Sequence, residues 1–159
     1  MKKFNSLRGF SLIESLVVIG VTAVLSVIIF ANFFTRNAYE TLNSTVKKVT
    51  ATLREAESRS AAQDGGTVWG VHFDNSTGTA PFYAIFKTSY SPANTAGYYP
   101  LPYGVSFSTS SIALGSSTDI TFAQISGIPS ATSSITLYLT TGAATSTTII
   151  VNSTGLISF

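Results

Sequence analysis

Arg8-Gly9-Phe10-Ser11-Leu12-Ile13-Glu14-Ser15, with the apolar run that follows it to Thr35, constrains this chain more than any other segment. After Glu14 the next charged side chain is Arg36, and the interval is densely apolar from Leu16-Val17-Val18-Ile19 to Val27-Ile28-Ile29-Phe30. A helix of that length reaches across the hydrocarbon of a bilayer. The basic side chains ahead of it, Lys2, Lys3 and Arg8, predict a cytoplasmic N-terminus and delivery of the remainder to the outside. A secretory signal would end after about 7–15 apolar residues at a small-residue cleavage site. This run is longer, and Asn32-Phe33-Phe34-Thr35 offers no such site. An uncleaved single-pass anchor is the plain reading of hydropathy alone.

Glu14 is the anomaly in that reading. A carboxylate at the head of a segment fit for hydrocarbon costs several kcal/mol unless a partner neutralises it, so a partner is expected. The junction Arg8-Gly9-Phe10-Ser11-Leu12-Ile13-Glu14-Ser15 closely resembles the class III signal of type IV prepilins and the pseudopilins of type II secretion. The resemblance covers about the first 35 residues and implies that a prepilin peptidase cuts after Gly9 and methylates the new Phe10 amine. It further implies that Glu14 sets subunit register by meeting the Phe10 amine of a neighbouring copy during filament assembly. The implied partners are the peptidase, other pilin or pseudopilin subunits in a homo- or hetero-polymer, and an inner-membrane assembly platform. The implied location is the cytoplasmic membrane before assembly and an extracellular or periplasmic filament after it.

Beyond Arg36 the apolar residues Tyr39, Leu42, Val46, Val49 and Leu53 recur at spacings of three and four, the stripe of an amphipathic helix. No proline precedes Pro81, and Gly65-Gly66 is the first firm stop. The predicted organisation is a cleaved leader over 1–9 and a long helix over 10–64. The helix divides into a hydrophobic transmembrane half, 10–35, and an amphipathic half, 36–64. A β-rich head follows over 65–159.

In the head, β-branched and aromatic runs separated by turn signals predict strands near Thr67–Phe73, Phe82–Thr88, Gly104–Phe107, Ile120–Phe122, Ile135–Thr140, Thr148–Val151 and Leu156–Phe159. Ser89–Pro102, rich in Pro, Tyr, Gly and Asn, reads as a surface loop. The expected fold class is α+β, a long transmembrane helix packed at its C-terminal half against an antiparallel head. Trp69-Gly70-Val71-His72-Phe73, Phe82-Tyr83-Ala84-Ile85-Phe86 and the closing Ile149-Ile150-Val151-Asn152-Ser153-Thr154-Gly155-Leu156-Ile157 look like the heads of H-type minor pseudopilins and their FimT-like relatives. Some of those relatives bind DNA through basic residues near the C-terminus. Here no Lys or Arg follows Lys87, so nucleic acid is not expected as a partner.

The composition points the same way. Of 159 residues 45% are hydrophobic and only 10% charged, well below the roughly 25% of soluble domains. Removing Lys2, Lys3 and Arg8 from the nine basic residues leaves six against seven acidic ones, a nearly neutral mature chain. There is no cysteine, hence no disulfide or thiolate chemistry. His72 is the only histidine and reads as a strand residue; with Asp74, Asp119 and scattered serines it assembles no metal cluster, phosphate loop or nucleophile-and-base pair. No cofactor, metal or catalytic residue is expected, and the chain does not read as an enzyme. Asp74 beside Asn75 in a turn reads as a hydrated loop rather than a calcium site. The sequons at Asn43, Asn75 and Asn152 read as chance matches in a Ser/Thr-rich chain. Two rivals to a filament subunit remain: a DNA-binding minor pilin of an uptake system, and a non-polymerising anchored surface protein.

Overall fold

The computed structural model describes residues 11–141 and 144–159, with the side chains of 28 and 30–36 excepted. Two compact units result, residues up to Arg36 and Asn37–Phe159. The element α1 (Leu12–Ala61) contributes to both. In the first unit, Ser11 caps its start, the hydroxyl accepting from the Glu14 amide at 3.3 Å.

The expected transmembrane helix is overturned. The fully described stretches of α1 are 16 and 25 residues long, and among the described residues no helix is long and apolar enough to cross a membrane. The 25-residue stretch from 37 to 61 is long enough but carries Glu40, Lys47, Lys48, Arg54, Glu55, Glu57 and Arg59. The α+β class with a membrane-spanning helix, the single-pass location with a cytoplasmic N-terminus and the anchored-protein alternative are corrected on the same finding.

The second unit is built from the amphipathic stretch of α1 and eight strands. These are β1 (Trp69–Asp74), β2 (Phe82–Lys87), β3 (Thr95–Pro100), β4 (Val105–Phe107), β5 (Ser117–Phe122), β6 (Ser133–Leu139), β7 (Ser146–Val151) and β8 (Ile157–Ser158). They form two four-stranded sheets with strand orders β3-β2-β1-β5 and β4-β6-β7-β8, and every pairing is antiparallel. Leu42, Val46, Val49 and Leu53 turn one helix face into a single buried cluster with Val71, Phe73, Ile85, Ile120 and Phe122 of the first sheet. Phe107, Ile135, Leu137, Ile149 and Val151 of the second sheet complete it. Phe73 meets Phe107 edge-on, with ring centroids 5.8 Å apart, which joins the two sheets.

Ser60, fully buried, ties the end of α1 to the first sheet. Its hydroxyl donates to the Phe122 carbonyl at 2.6 Å and accepts from the Trp69 amide at 2.8 Å. The chain then turns through Gln63 in the left-handed region and a short 3-10 turn, Asp64–Gly66, into β1.

β3 corrects the expectation of a loop over Ser89–Pro102. Thr95-Ala96-Gly97-Tyr98-Tyr99-Pro100 has turn-forming composition and no alternation, yet it adds to the edge of the first sheet by pairing with β2. An edge position tolerates its Pro and Gly, because only one side of the strand must complete a ladder. β2 is consequently buried on both faces. Tyr83 and Ile85 join the main core, and Phe82, Ala84 and Phe86 lie on the opposite side.

Gly70 in β1 marks how closely that opposite face is packed. A Cβ there would lie 2.8 Å from the Ile120 carbonyl oxygen and 2.8 Å from the Phe86 ring. The carbonyl belongs to the neighbouring strand and cannot retreat without loosening the β1–β5 ladder. Gly70→Ala is therefore expected to destabilise the fold by about 1–3 kcal/mol, read as a lower urea midpoint at unchanged slope.

Candidate functional site

Two places concentrate the side chains that could do something beyond folding. The first is the start of α1. Gly9 and Phe10, expected at the processing junction, lie outside the described residues. Glu14 occupies the first turn of α1, where a carboxylate faces the positive end of the helix dipole. It is exposed and makes no ion pair among the described residues. Around it Leu12, Ile13, Leu16, Val17, Val18 and Ile19 are each more than half exposed. The hydroxyls of this stretch turn inward: Thr22 donates to the Val18 carbonyl at 2.8 Å and Ser26 to that of Thr22 at 2.7 Å. The stretch thus presents apolar surface interrupted by one carboxylate.

The second place is the outer face of the first sheet. Alternation along β1 sends Trp69, Val71 and Phe73 to the main core and Gly70, His72 and Asp74 to the other side. Antiparallel pairing sets Asp119 of β5 directly opposite His72, and the carboxylate Oδ1 lies 2.5 Å from Nδ1 of the imidazole. The Asp74 Oδ2 is 3.8 Å from Nε2. Its other oxygen accepts from the Ser76 amide at 2.7 Å, closing the turn after β1. Tyr90, from the segment between β2 and β3, lies flat on the imidazole, with centroids 3.5 Å apart and planes 2° from parallel. Phe82 leans on the ring from 5.9 Å, and Phe86 meets Tyr90 nearly edge-on. His72 is left only 5% exposed, and its Nε2 has no hydrogen-bond partner among the described residues.

The electrostatics follow from this enclosure. Burial pushes the Tyr90 phenol above its ordinary range, and the carboxylates of Asp74 and Asp119 add to the shift, as does Tyr98. Tyr83, on the inner face, is also raised, chiefly by burial and against a hydrogen bond with Thr52 that lowers it. The covering rings deny a substrate access to Nε2 of His72.

The remaining candidates disperse. Among the described residues no group of three or more His, Cys, Asp or Glu could hold a metal ion. Asn75 is buried and donates from Nδ2 to the Ile112 carbonyl at 2.8 Å, so its sequon is closed to modification. Asn43 stands exposed on α1, and Asn152 sits in the turn before β8. Lys87 is exposed at the end of β2. Sequence reasoning named His72, Asp74 and Asp119 singly and missed both their convergence and Tyr90. Each junction joins residues far apart in the chain, and the one available signal was that the only histidine alternates with an aspartate within a single strand. No protein-family model matches this chain, and neither the curated proteins nor the solved structures contain a match.

If Tyr90 is what seals the imidazole, Tyr90→Ala should expose Nε2 to diethyl pyrocarbonate. Because His72 is the only histidine, its modification rate reads this site alone. A several-fold faster reaction than in the unsubstituted protein is expected; an unchanged rate would show that other groups cover the ring.

Proposed function

We propose that the chain is a structural subunit of a type IV pilus or a type II secretion pseudopilus. In this reading it is trimmed after Gly9 by a prepilin peptidase, methylated on the Phe10 amine and polymerised through its N-terminal helical stretch. Its partners are the peptidase, an assembly platform and further subunits of the same kind.

One observation carries the reading: Glu14 stands in the first turn of α1 among large apolar side chains that are mostly exposed. Apolar surface gains on the order of 25 cal/mol per Å² when covered, and close packing against parallel copies covers a helix on several sides at once. Within such packing a lone carboxylate is costly unless a cation meets it. The amine that cleavage after Gly9 would free on Phe10, four residues before Glu14, is a cation of suitable reach from a neighbouring copy. The basic leader and the Gly9-Phe10 junction resemble what a prepilin peptidase reads, which accounts for the remainder of the segment.

Glu14→Ala separates processing from assembly. Leader removal, read as the mass of the mature chain, is expected to persist, and the yield of sheared filaments should fall about tenfold or more, as removing one partner of a buried pair implies. Normal filament yield from this variant would remove the pairing from the account. Gly9→Val places a branched side chain at the scissile junction and is expected to leave the longer precursor intact by mass spectrometry.

A further inference from the structure

His72 is the only histidine in the chain, and Asp119 is the only charged residue after Lys87. In a head otherwise covered by Ser, Thr, Asn and Tyr, these two side chains meet at 2.5 Å across a register pair, with a second carboxylate 3.8 Å from the far side of the imidazole. Core packing does not require any of these charges, since Val71 and Phe73 already supply the buried face of β1.

In the neutral imidazole one nitrogen carries the hydrogen. The close contact with Asp119 places that hydrogen on Nδ1, and Nε2 is then a lone pair, sealed from solvent and facing the Asp74 carboxylate. Two acceptors then face each other at 3.8 Å, an unfavourable arrangement for the buried Nε2, which has no other partner among the described residues. Protonation reverses every term. The Nε2–H group then has the Asp74 carboxylate 3.8 Å away as a counter-charge, Nδ1–H keeps its contact with Asp119, and the imidazolium lies under the π face of Tyr90 at 3.5 Å.

The groups that face the imidazole come from every element packed against it. β1 contributes Asp74, β5 contributes Asp119, and the segment between β2 and β3 contributes the neutral phenol of Tyr90. β3 contributes Tyr98, which packs on Phe82, and β2 presents only the uncharged Phe82 and Ala84. No cation among the described residues pairs with either carboxylate, so the proton is the positive charge available to them.

We propose that His72, Asp74 and Asp119 form a proton-operated latch that fastens the 88–94 segment, through Tyr90, to the outer face of the first sheet. With the imidazole protonated, the ring of Tyr90 is held and the aromatic surface of Phe82 and Phe86 stays covered. As pH rises through the titration range of the imidazole, the hold on Tyr90 weakens and the segment opens more often. Apart from Tyr90, the segment is held mainly at its two ends: the Lys87 amide donates to the Asn94 carbonyl at 3.1 Å, the Thr88 amide to the Val68 carbonyl at 2.8 Å and the Ser89 amide to the Lys87 carbonyl at 2.8 Å, the Thr88 and Thr67 hydroxyls meet at 2.8 Å, the Asn94 amide and side chain donate to the Ser91 and Ser89 carbonyls, and the Thr95 hydroxyl donates to the Ser91 carbonyl. The latch involves no residue of the filament proposal and stands apart from it.

Amide hydrogen exchange of the 88–94 segment in the full chain, corrected for intrinsic exchange rates, tests the latch at about pH 5 and about pH 8. The unsubstituted protein is expected to lose protection about fivefold between the two. Asp74→Asn keeps an oxygen for the Ser76 amide and offers an N–H to the neutral Nε2, so its protection at the higher pH should match that at the lower. His72→Gln should likewise show no difference, whereas Tyr90→Phe, which keeps both the stack and the imidazole, should retain it. Equal protection at both pH values in the unsubstituted protein overturns the latch, as does an undiminished change in Asp74→Asn. Should His72→Gln fail to fold, those two measurements decide the matter without it.

Discussion

The burial of Leu42, Val46, Val49 and Leu53 in one cluster with residues of both β-sheets is the contact on which the head depends. Neither sheet has a core of its own: each is a four-stranded antiparallel layer whose inner residues meet the helix stripe and, through Phe73 and Phe107, each other. Without cysteine there is no covalent substitute for this packing. Each fully buried Leu, Val, Ile or Phe contributes about 1.5–3 kcal/mol, so the cluster supplies most of what opposes chain entropy. Ser60 then fixes the register of the helix against the sheet with one hydroxyl that both donates and accepts.

That inner packing makes the outer face of the first sheet possible. Once Val71 and Phe73 face the helix, strand alternation leaves His72 and Asp74 on the far side, and pairing with β5 supplies Asp119. β3 and the segment before it complete the enclosure with Tyr98 and Tyr90. The result is a second, smaller cluster that mixes aromatic rings with the few charges of the head. Buried polar groups of this kind contribute to stability only when their partners are in place. Nε2 of His72 is the atom of this cluster that lacks a hydrogen-bond partner among the described residues.

The start of α1 obeys the opposite logic. Among the described residues its apolar side chains stand largely exposed, and the hydroxyls of Thr22 and Ser26 are satisfied by the helix's own carbonyls. Glu14 is the one charged side chain set in this apolar surface among residues 11–27.

Much of the head was legible in the amino-acid order. The three- and four-residue spacing of Leu42, Val46, Val49 and Leu53 marks the buried helix face, and the alternation in Val68–Phe73 and Ile135–Leu139 marks strands with one face turned inward. These patterns are local, and local period is what a chain displays without folding. β3 was hidden because its Gly, Ala and Pro carry no strand preference and its conformation comes from the edge of β2. The transmembrane reading of the first stretch rested on composition alone, and among the described residues no helix is long and apolar enough to cross a membrane. The junction of His72 with Asp119, Asp74 and Tyr90 belongs wholly to tertiary structure. It brings residues 72, 90 and 119 together through two strand pairings and one folded-over segment, and no periodicity in a linear chain encodes a meeting of that kind.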